Sequence, residues 1–170
     1  MDIAVNSGTF NHQIMGGIFA NANTTIGGNT HVYINGGSVT GNVMGGGLTG
    51  SISGGANFNP VTGGVISGSV YGAGQGGSIL AGSSVCLTGG LVKGDVYAGG
   101  KAGFHSGDTS VTITGNTATL YNGSSWSSIS GGGSGGTVKE TPPYASRIFP
   151  QERRPTALTS TPETSAAEPM

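Results

Sequence analysis

A motif of about 15 residues recurs four times in this chain, at 3–17, 32–46, 61–74 and 85–99. The shared pattern is apolar, any, apolar, Thr or Asn, Gly-Gly, any, apolar, any, Gly, any, apolar, and a closing glycine, with Ser7 and His12 in place of two of the glycines in the first copy. Successive copies are offset by 29, 27 and 26 residues, and a fifth copy begins at Val111. A unit of this length cannot bury its own apolar face, so the copies must stack on one another.

The composition divides the chain near residue 136. All 36 glycines lie before residue 137, whereas six of the seven prolines lie after it. Between the glycines, Val, Ile, Leu and Thr alternate with polar residues, which is the period of a half-buried strand. We therefore expect repeats over 1–115, a degenerate last turn or cap and a Gly-rich hinge over 116–136, and a disordered Pro/Thr/Ser/Glu/Arg tail over 137–170.

Aligning the copies gives columns of apolar residues that share a face of a strand. The columns are Ile3, Val32, Val85 and Val111; Val5, Ile34, Val61, Leu87 and Ile113; Phe10, Val39, Ile66 and Val92; and Ile14, Val43, Val70 and Val96. A further column outside the motif, Ile26, Ile52, Ile79 and Phe104, predicts a third side of the coil. The sequence therefore predicts an all-β parallel β-solenoid, or β-helix, of about four to five three-sided turns of roughly 26 residues.

Three local features of the repeat need a separate explanation. Asn59-Pro60 replaces the first apolar pair of the third copy, and proline weakens a central strand. Gly41, together with Gly68 and Gly94, leaves room inside the coil, which we expect the larger third-side residues to fill. Trp126 either covers the last turn as part of a cap or belongs to a frayed end.

Charge and cysteine content exclude several classes of function. The net charge is −1, and only five charged residues lie before residue 137, so no basic stripe is available for nucleic acid. No apolar run approaches the roughly 20 residues of a membrane-spanning helix. Cys86 is the single cysteine, which leaves no internal disulfide and no thiolate metal cage. We expect no cofactor.

The motif resembles the glycine-rich repeats of bacterial surface proteins, above all the passenger stalk of autotransporter adhesins and adhesin-like proteins. The resemblance covers about residues 1–115 and rests on Val-x-Ile-Asn-Gly-Gly-Ser-Val-x-Gly-Asn-Val-Met-Gly-Gly-Gly (32–47) and Leu-Thr-Gly-Gly-Leu-Val-Lys-Gly-Asp-Val-Tyr-Ala-Gly-Gly (87–100). It implies an extracellular β-helix on the bacterial cell surface. The sequence shows neither a secretion signal nor a C-terminal membrane barrel, so we expect a fragment of a larger secreted protein. An uncapped first turn also favours end-to-end self-association.

Acids and histidines give no catalytic or metal centre. Asp95 aligns with an outward polar column, Gln13, Asn42 and Ser69, which predicts a solvated surface role, and Asp108 is typical of turn chemistry. No pair of carboxylates is available for sugar cleavage, and no Asp recurs in every copy as a calcium-binding β-roll requires. The three histidines, His12, His31 and His105, fall in different columns. Cys86 points outward, which indicates an incidental exposed thiol.

Two outward columns are the candidate contact surfaces. The first is the stripe Met15, Met44, Tyr71 and Tyr97, whose aromatic rings suit a glycan or a protein partner. Alternatively, these residues pack beneath the adjoining glycine turn. The second is the column Asn6, Asn35, Thr62, Thr88 and Thr114, which predicts a structural ladder of hydrogen bonds along the stack.

We therefore expect a non-enzymatic surface stalk or adhesin-like module whose partner is a glycan or protein of a host or neighbouring cell. A carbohydrate-binding module that uses the stripe is the alternative. A fragment of a polysaccharide-cleaving β-helix enzyme is the remote alternative, because the acids are few.

Overall fold

The computed structural model describes residues 1–20, 23–114, 119–120, 127–135 and 137–138. Within these ranges the secondary structure consists of strands joined by turns and bends. No helix long and apolar enough to cross a membrane occurs among the described residues.

The strands follow one another in groups of four, and each group makes one turn of a coil. The first turn contains β1 (Asp2–Val5), β2 (Thr9–Phe10), β3 (Ile14–Met15) and β4 (Thr25–Ile26). The second contains β5 (Thr30–Ile34), β6 (Ser38–Val39), β7 (Val43–Met44) and β8 (Ser51–Ile52). The third contains β9 (Ala56–Val61), β10 (Val65–Ile66), β11 (Val70–Tyr71) and β12 (Ser78–Ile79). The fourth contains β13 (Ser83–Leu87), β14 (Leu91–Val92), β15 (Val96–Tyr97) and β16 (Phe104–His105). The fifth, described in part, contains β17 (Thr109–Ile113), β18 (Thr119–Leu120), β19 (Ile129–Ser130) and β20 (Thr137–Val138).

Equivalent strands of successive turns pair in parallel and form four sheets of five strands each. Sheet 1 joins the first strand of every turn (β1, β5, β9, β13 and β17), and sheets 2, 3 and 4 join the second, third and fourth strands in the same way. Outside the β-bulge of the third turn, the paired strand residues lie beside their equivalents in the next turn, as Val39 does beside Ile66. The predicted all-β parallel β-solenoid is confirmed.

The core is the column of aliphatic side chains inside the coil. In β5 and β13 the burial alternates, with the first, third and fifth residues enclosed, as expected of strands with one face inward. Val32, Val39 and Val43 of the second turn are completely buried, as are Ile66 and Val70 of the third. The apolar columns of the motif are therefore the core. Phe10 is 41% exposed because β2 is an edge strand that packs against one turn only.

The Gly-Gly pair marks a sharp corner between sheets 1 and 2, as predicted. The second glycine has φ of 81° at Gly37, 79° at Gly64 and 77° at Gly90. Residues with a Cβ atom rarely adopt this left-handed conformation, so the corner requires glycine.

Each turn has four strands, whereas the sequence predicted three. The predicted second strand is interrupted at a corner, occupied by Gly41 in the second turn, and becomes two strands of two residues. A Cβ atom on Gly41 would lie 2.6 Å from the Gln13 nitrogen and 2.7 Å from the His12 carbonyl carbon. The backbone of the adjacent turn therefore occupies this space, and the expectation that third-side residues fill it is wrong.

The fourth-sheet column ends differently from the prediction. Ile79 pairs with His105, one residue beyond the expected Phe104. His105 is 4% exposed, whereas Phe104 is 36% exposed. The apolar ring lies outside because the period from Ile79 is 26 residues instead of 25, so a histidine enters the interior.

The third turn contains a β-bulge. Phe58 pairs with Val32 and Val85, while Val61 pairs with Ile34 and Leu87. Two residues, Asn59 and Pro60, thus separate positions that a single residue separates elsewhere. The first apolar position is occupied by Phe58, so the expected loss of the apolar pair is wrong.

The fifth turn includes β18 and β19, which lie within 116–136, the segment expected to hold a degenerate last turn or cap. β19 pairs with β15, and β20 pairs with β16 at the beginning of the predicted tail. In the predicted hinge, Ser134 N donates to Gly100 O at 3.0 Å, which ties this segment to the fourth turn. Trp126 and residues 139–170 lie outside the described residues, so the cap and the disordered tail stay predictions.

Candidate functional site

The predicted stripe is aligned along sheet 3 but is enclosed at its centre. Met44 pairs with Met15 on one side and with Tyr71 on the other, and Tyr71 pairs with Tyr97. Met44 is fully buried and Tyr71 is 6% exposed, whereas Met15 and Tyr97 are half-buried. The usual alternation of buried and exposed residues along a strand does not hold in these two-residue strands. Both residues of β7 and both residues of β11 are buried. The stripe is therefore not the continuous outward surface that the sequence predicted.

The two tyrosines of the stripe form a stacked pair. Their ring centroids are 5.2 Å apart and their planes differ by 8°. Tyr97 Oη donates a hydrogen bond of 3.2 Å to Asp95 Oδ2. Burial, followed by the neighbouring Asp95 carboxylate, raises the pKa of the Tyr97 phenol. The phenol therefore stays protonated as a hydrogen-bond donor to the carboxylate.

Asp95 belongs to a chain of side-chain contacts that we call the corner relay, formed by Asn42, Ser69 and Asp95. Asn42 Oδ1 accepts from Ser69 N at 2.9 Å, and Ser69 Oγ accepts from Asp95 N at 3.1 Å. Asp95 Oδ1 in turn accepts from Ser128 N at 2.8 Å. Each side chain thus binds the backbone of the following turn. Asp95 is half-buried and structural, instead of the solvated surface residue that was expected.

The polar column at the Gly-Gly corner forms the predicted ladder in its first three members. Asn35 Nδ2 donates to Asn6 Oδ1 at 2.8 Å, and Thr62 Oγ1 donates to Asn35 Oδ1 at 3.4 Å. Thr88 Oγ1 instead donates to the Val61 carbonyl at 3.2 Å. The ladder joins successive turns, and its side chains serve to hold the stack together.

A column of hydroxyl groups, buried at Thr30 and Ser83 and half-buried at Thr109, begins the first strand of three turns, and the sequence analysis missed it. Thr30 Oγ1 donates to Gly45 O at 2.7 Å. Ser83 Oγ donates to Ala98 O, and Thr109 Oγ1 donates to Gly131 O. Each hydroxyl crosses the coil to a carbonyl that follows the third strand of its own turn. The available signal was the recurrence of Thr30, Ser83 and Thr109, each two residues before a core valine.

His105 joins this column from the opposite side. Its Nε2 lies 2.9 Å from Ser83 Oγ, and its Nδ1 is buried with no hydrogen-bond partner among the described residues. Burial lowers the pKa of this imidazole below its ordinary value. The sequence placed His105 apart from the other histidines, which is correct, but gave no sign that it is internal.

The other candidate residues do not converge. His31 Nδ1 lies 2.7 Å from Asp2 Oδ1 in an exposed pair, and His12 is exposed. Cys86 is a free, half-buried thiol, so it is less open than predicted. Within the described ranges, no three His, Cys, Asp or Glu side chains are close enough to hold a metal ion.

A surface groove of about 530 Å³ crosses the corner between sheets 2 and 3. Phe19 lines it and is 61% exposed. Other lining residues are Asn11, His12, Gln13, Met15 and Asn42. No Asp, Glu, Lys or Arg occurs among the described residues that line it. We call this feature the Phe19 groove; its combination of an exposed ring and side-chain amides is suited to uncharged polar ligands.

Comparison with known proteins adds no relative from which a role could be transferred. No family model, curated protein or solved structure matches the chain.

Proposed function

We propose that this chain is a non-enzymatic stalk or adhesin-like repeat module, part of a larger secreted protein on the outside of a bacterial cell. One observation carries the proposal: the side chains of the corner relay and of the asparagine ladder form hydrogen bonds that hold the stacked turns together. Both oxygens of Asp95 accept hydrogen bonds, from Ser128 N and from Tyr97 Oη. The side chains of Asn6 and Asn35 bind each other.

These contacts are suited to a load-bearing extension. The parallel backbone ladder already joins every pair of successive turns. The corner relay adds a side-chain bond at the second, third and fourth turns, and the two bonds between neutral partners are each worth about 0.5–1.5 kcal/mol. The extracellular location rests on the resemblance of 32–47 and 87–100 to the repeats of autotransporter passengers.

The test uses an antibody raised against the full chain on cells that express the protein from its own gene. Labelling of intact cells, removed by brief external protease, is expected. A cytoplasmic protein that stays unlabelled serves as the control. Labelling that needs permeabilised cells contradicts the surface location, and turnover of acidic polysaccharides by the purified chain contradicts the non-enzymatic role.

A carbohydrate-binding function is the second candidate, and the Phe19 groove favours it. An exposed aromatic ring can stack on the apolar face of a sugar, while neighbouring amides bind its hydroxyl groups. Asn42 is held in place because its Oδ1 accepts from Ser69 N at 2.9 Å. Met15 is the one member of the predicted stripe that lines the groove, since Met44 and Tyr71 are buried.

Titration of the chain with neutral hexasaccharides of glucose, xylose and N-acetylglucosamine tests this candidate. Phe19→Ala is expected to weaken binding at least about fivefold, the loss typical of an anchoring aromatic residue. Leu80→Ala is the matched control, because Leu80 is also exposed but does not line the groove. Equal binding by both variants, or no binding by the unaltered chain, contradicts the candidate.

A further inference from the structure

His105 occupies a position where the repeat provides an aliphatic side chain. Its equivalents in the preceding turns are Ile26, Ile52 and Ile79. The apolar cluster beneath sheet 4 consists of Ile52, Ala56, Ala73 and Ile79, with Ile26 packed against it. The cluster therefore ends at Ile79, and the fourth turn continues the column with a titratable ring.

The hydrogen bonds assign the proton of the neutral imidazole. Ser83 Oγ has a single hydrogen, which it donates to Ala98 O. Nε2, at 2.9 Å from that oxygen, must then be the donor to it. Nδ1 is consequently the bare nitrogen, and it is buried with no donor or acceptor beside it among the described residues.

A second proton on this ring has no acceptor among the residues that the structure describes. It would bind at Nδ1 and produce a buried N–H group and a buried positive charge, both without a partner. His105 contacts Ser83 of β13 and pairs with Ile79 of β12 and Val138 of β20, and none of these three residues titrates.

The charged groups nearest along the chain, Lys101 and Asp108, are both exposed. Asp108 lines a surface groove of about 310 Å³ together with Ser83, whereas His105 does not line it.

We propose that His105 is an acid-sensitive latch, which closes the fourth turn of the solenoid at neutral pH and opens it when the imidazole is protonated. The closed state joins sheet 4 to sheet 1 through the Ser83 hydroxyl. The fifth turn rests on the fourth, since β20 pairs with β16 and β17 with β13. Opening therefore loosens the C-terminal turns, while the second and third turns, whose equivalent positions hold isoleucine, keep their packing.

The direction of the pH effect follows from proton linkage. The opened imidazole ionises near its ordinary pKa of 6.5, whereas the closed one ionises only at lower pH. Protons therefore bind preferentially to the open state below pH 6.5, and opening becomes about tenfold more frequent for each further pH unit until the closed form also ionises.

Hydrogen exchange of the full chain at pH 7.5 and pH 5.0, corrected for intrinsic exchange rates, tests the latch. Acidification is expected to increase exchange over 96–111 by up to about thirtyfold, the factor for 1.5 pH units below 6.5, and to leave 32–44 unchanged. His105→Ile supplies the residue of the other turns and should abolish the difference, while His12→Gln, at an exposed histidine, should retain it. Acid-accelerated exchange of 96–111 that persists in His105→Ile overturns the proposal.

A measurement on the unaltered chain covers the case in which His105→Ile does not fold. Nitrogen NMR of the histidine rings is expected to show the Nε2–H form of His105 at pH 7.5 and loss of its resonance dispersion on acidification. A neutral Nδ1–H form, or protonation with the closed-state signals intact, overturns the latch.

Discussion

The rings of Tyr71 and Tyr97 lie face to face on adjacent turns, with centroids 5.2 Å apart. Tyr97 also donates to the Asp95 carboxylate, which is bound to the backbone of the next turn. The pair therefore links the third turn to the fourth through a ring contact and the fourth to the fifth through a carboxylate.

The phenol of Tyr97 makes the solenoid less stable in alkali. Its pKa is raised in the folded state, first by burial and then by Asp95, from an ordinary value of 10.0. Above pH 10 the unfolded chain releases this proton while the folded chain retains it, so the free energy of unfolding falls as pH rises. Between pH 9 and 11, denaturant unfolding should show a smaller decline of the free energy of unfolding in Tyr97→Phe than in the unaltered chain. Tyr33→Phe is the control for the loss of one phenol. Identical slopes for Tyr97→Phe and the unaltered chain would contradict this explanation.

Gly94→Ala should destabilise the chain by at least about 2 kcal/mol, because backbone atoms cannot yield to an added methyl group. The new Cβ would lie 2.5 Å from the carbonyl carbon and oxygen of Gly68. Gly27→Ala is the matched control, since no atom lies within 4 Å of its added Cβ. Thermal and denaturant unfolding measure both variants, and equal stability would show that the corners are not tightly stacked.

Thr30→Val removes one buried hydroxyl with little change of shape. Thr30 is completely buried and donates to the Gly45 carbonyl at 2.7 Å. We expect the free energy of unfolding to fall by about 1–3 kcal/mol, because the Gly45 carbonyl would stay buried without its hydrogen-bond donor. Thr25→Val, at an exposed position of β4, should change stability by less than about 0.5 kcal/mol. A neutral Thr30→Val would mean that the hydroxyl column contributes nothing to folding.

Asp95→Ala should detach the beginning of the segment 127–135 from the fourth turn. Ser128 N then loses its acceptor at 2.8 Å, which we expect to speed amide exchange over 127–130. Asp95→Asn keeps an oxygen at this position and should preserve most of the protection. Exchange measured by mass spectrometry distinguishes the two, and equal protection in Asp95→Ala and the unaltered chain would remove Asp95 from the relay.

The edge of the first turn should drive concentration-dependent association. The strands β1 to β4 each pair on one side only, and Phe10 is 41% exposed there. Phe10→Glu is expected to weaken the association seen by sedimentation equilibrium, because it places a charge at an apolar edge. Phe104→Glu, at another exposed ring, is the control. A chain that stays monomeric at every concentration would contradict the prediction.

The core could be predicted because its signal is local. Val32, Val39 and Val43 repeat at fixed positions between polar residues, and all three are buried. The corner at Gly41 could not be predicted as a break between strands, since glycine has no side chain to indicate direction. Glycine is required at this corner because the Gln13 backbone of the adjacent turn lies so close. That closeness results from the stacking of turns and cannot be deduced from the local sequence.

The interior polar contacts could not be predicted for a different reason. Thr30 finds its acceptor 15 residues away, and Ser83 meets His105 at a separation of 22 residues. Phe104 is more apolar than its neighbour, so a residue-by-residue reading assigns it to the core. The pairing of Ile79 with His105 overrides that preference, because strand register is set by the whole turn.

The corner relay has a consequence for how the chain can change length. The third and fourth turns each offer a side-chain acceptor to the next turn and donate to one of the previous turn, so neighbouring turns are interchangeable in this contact. Val61 and Leu87 are equivalent positions 26 residues apart, so excision of residues 62–87 would join Val61 to Thr88 in phase. Excision of only part of a turn would leave the strands on both sides of the deletion out of register with the neighbouring turns. The length of such a rod can therefore change only by whole turns. Genetic duplication or loss of a turn changes it in steps of about 4.8 Å, the spacing of neighbouring strands.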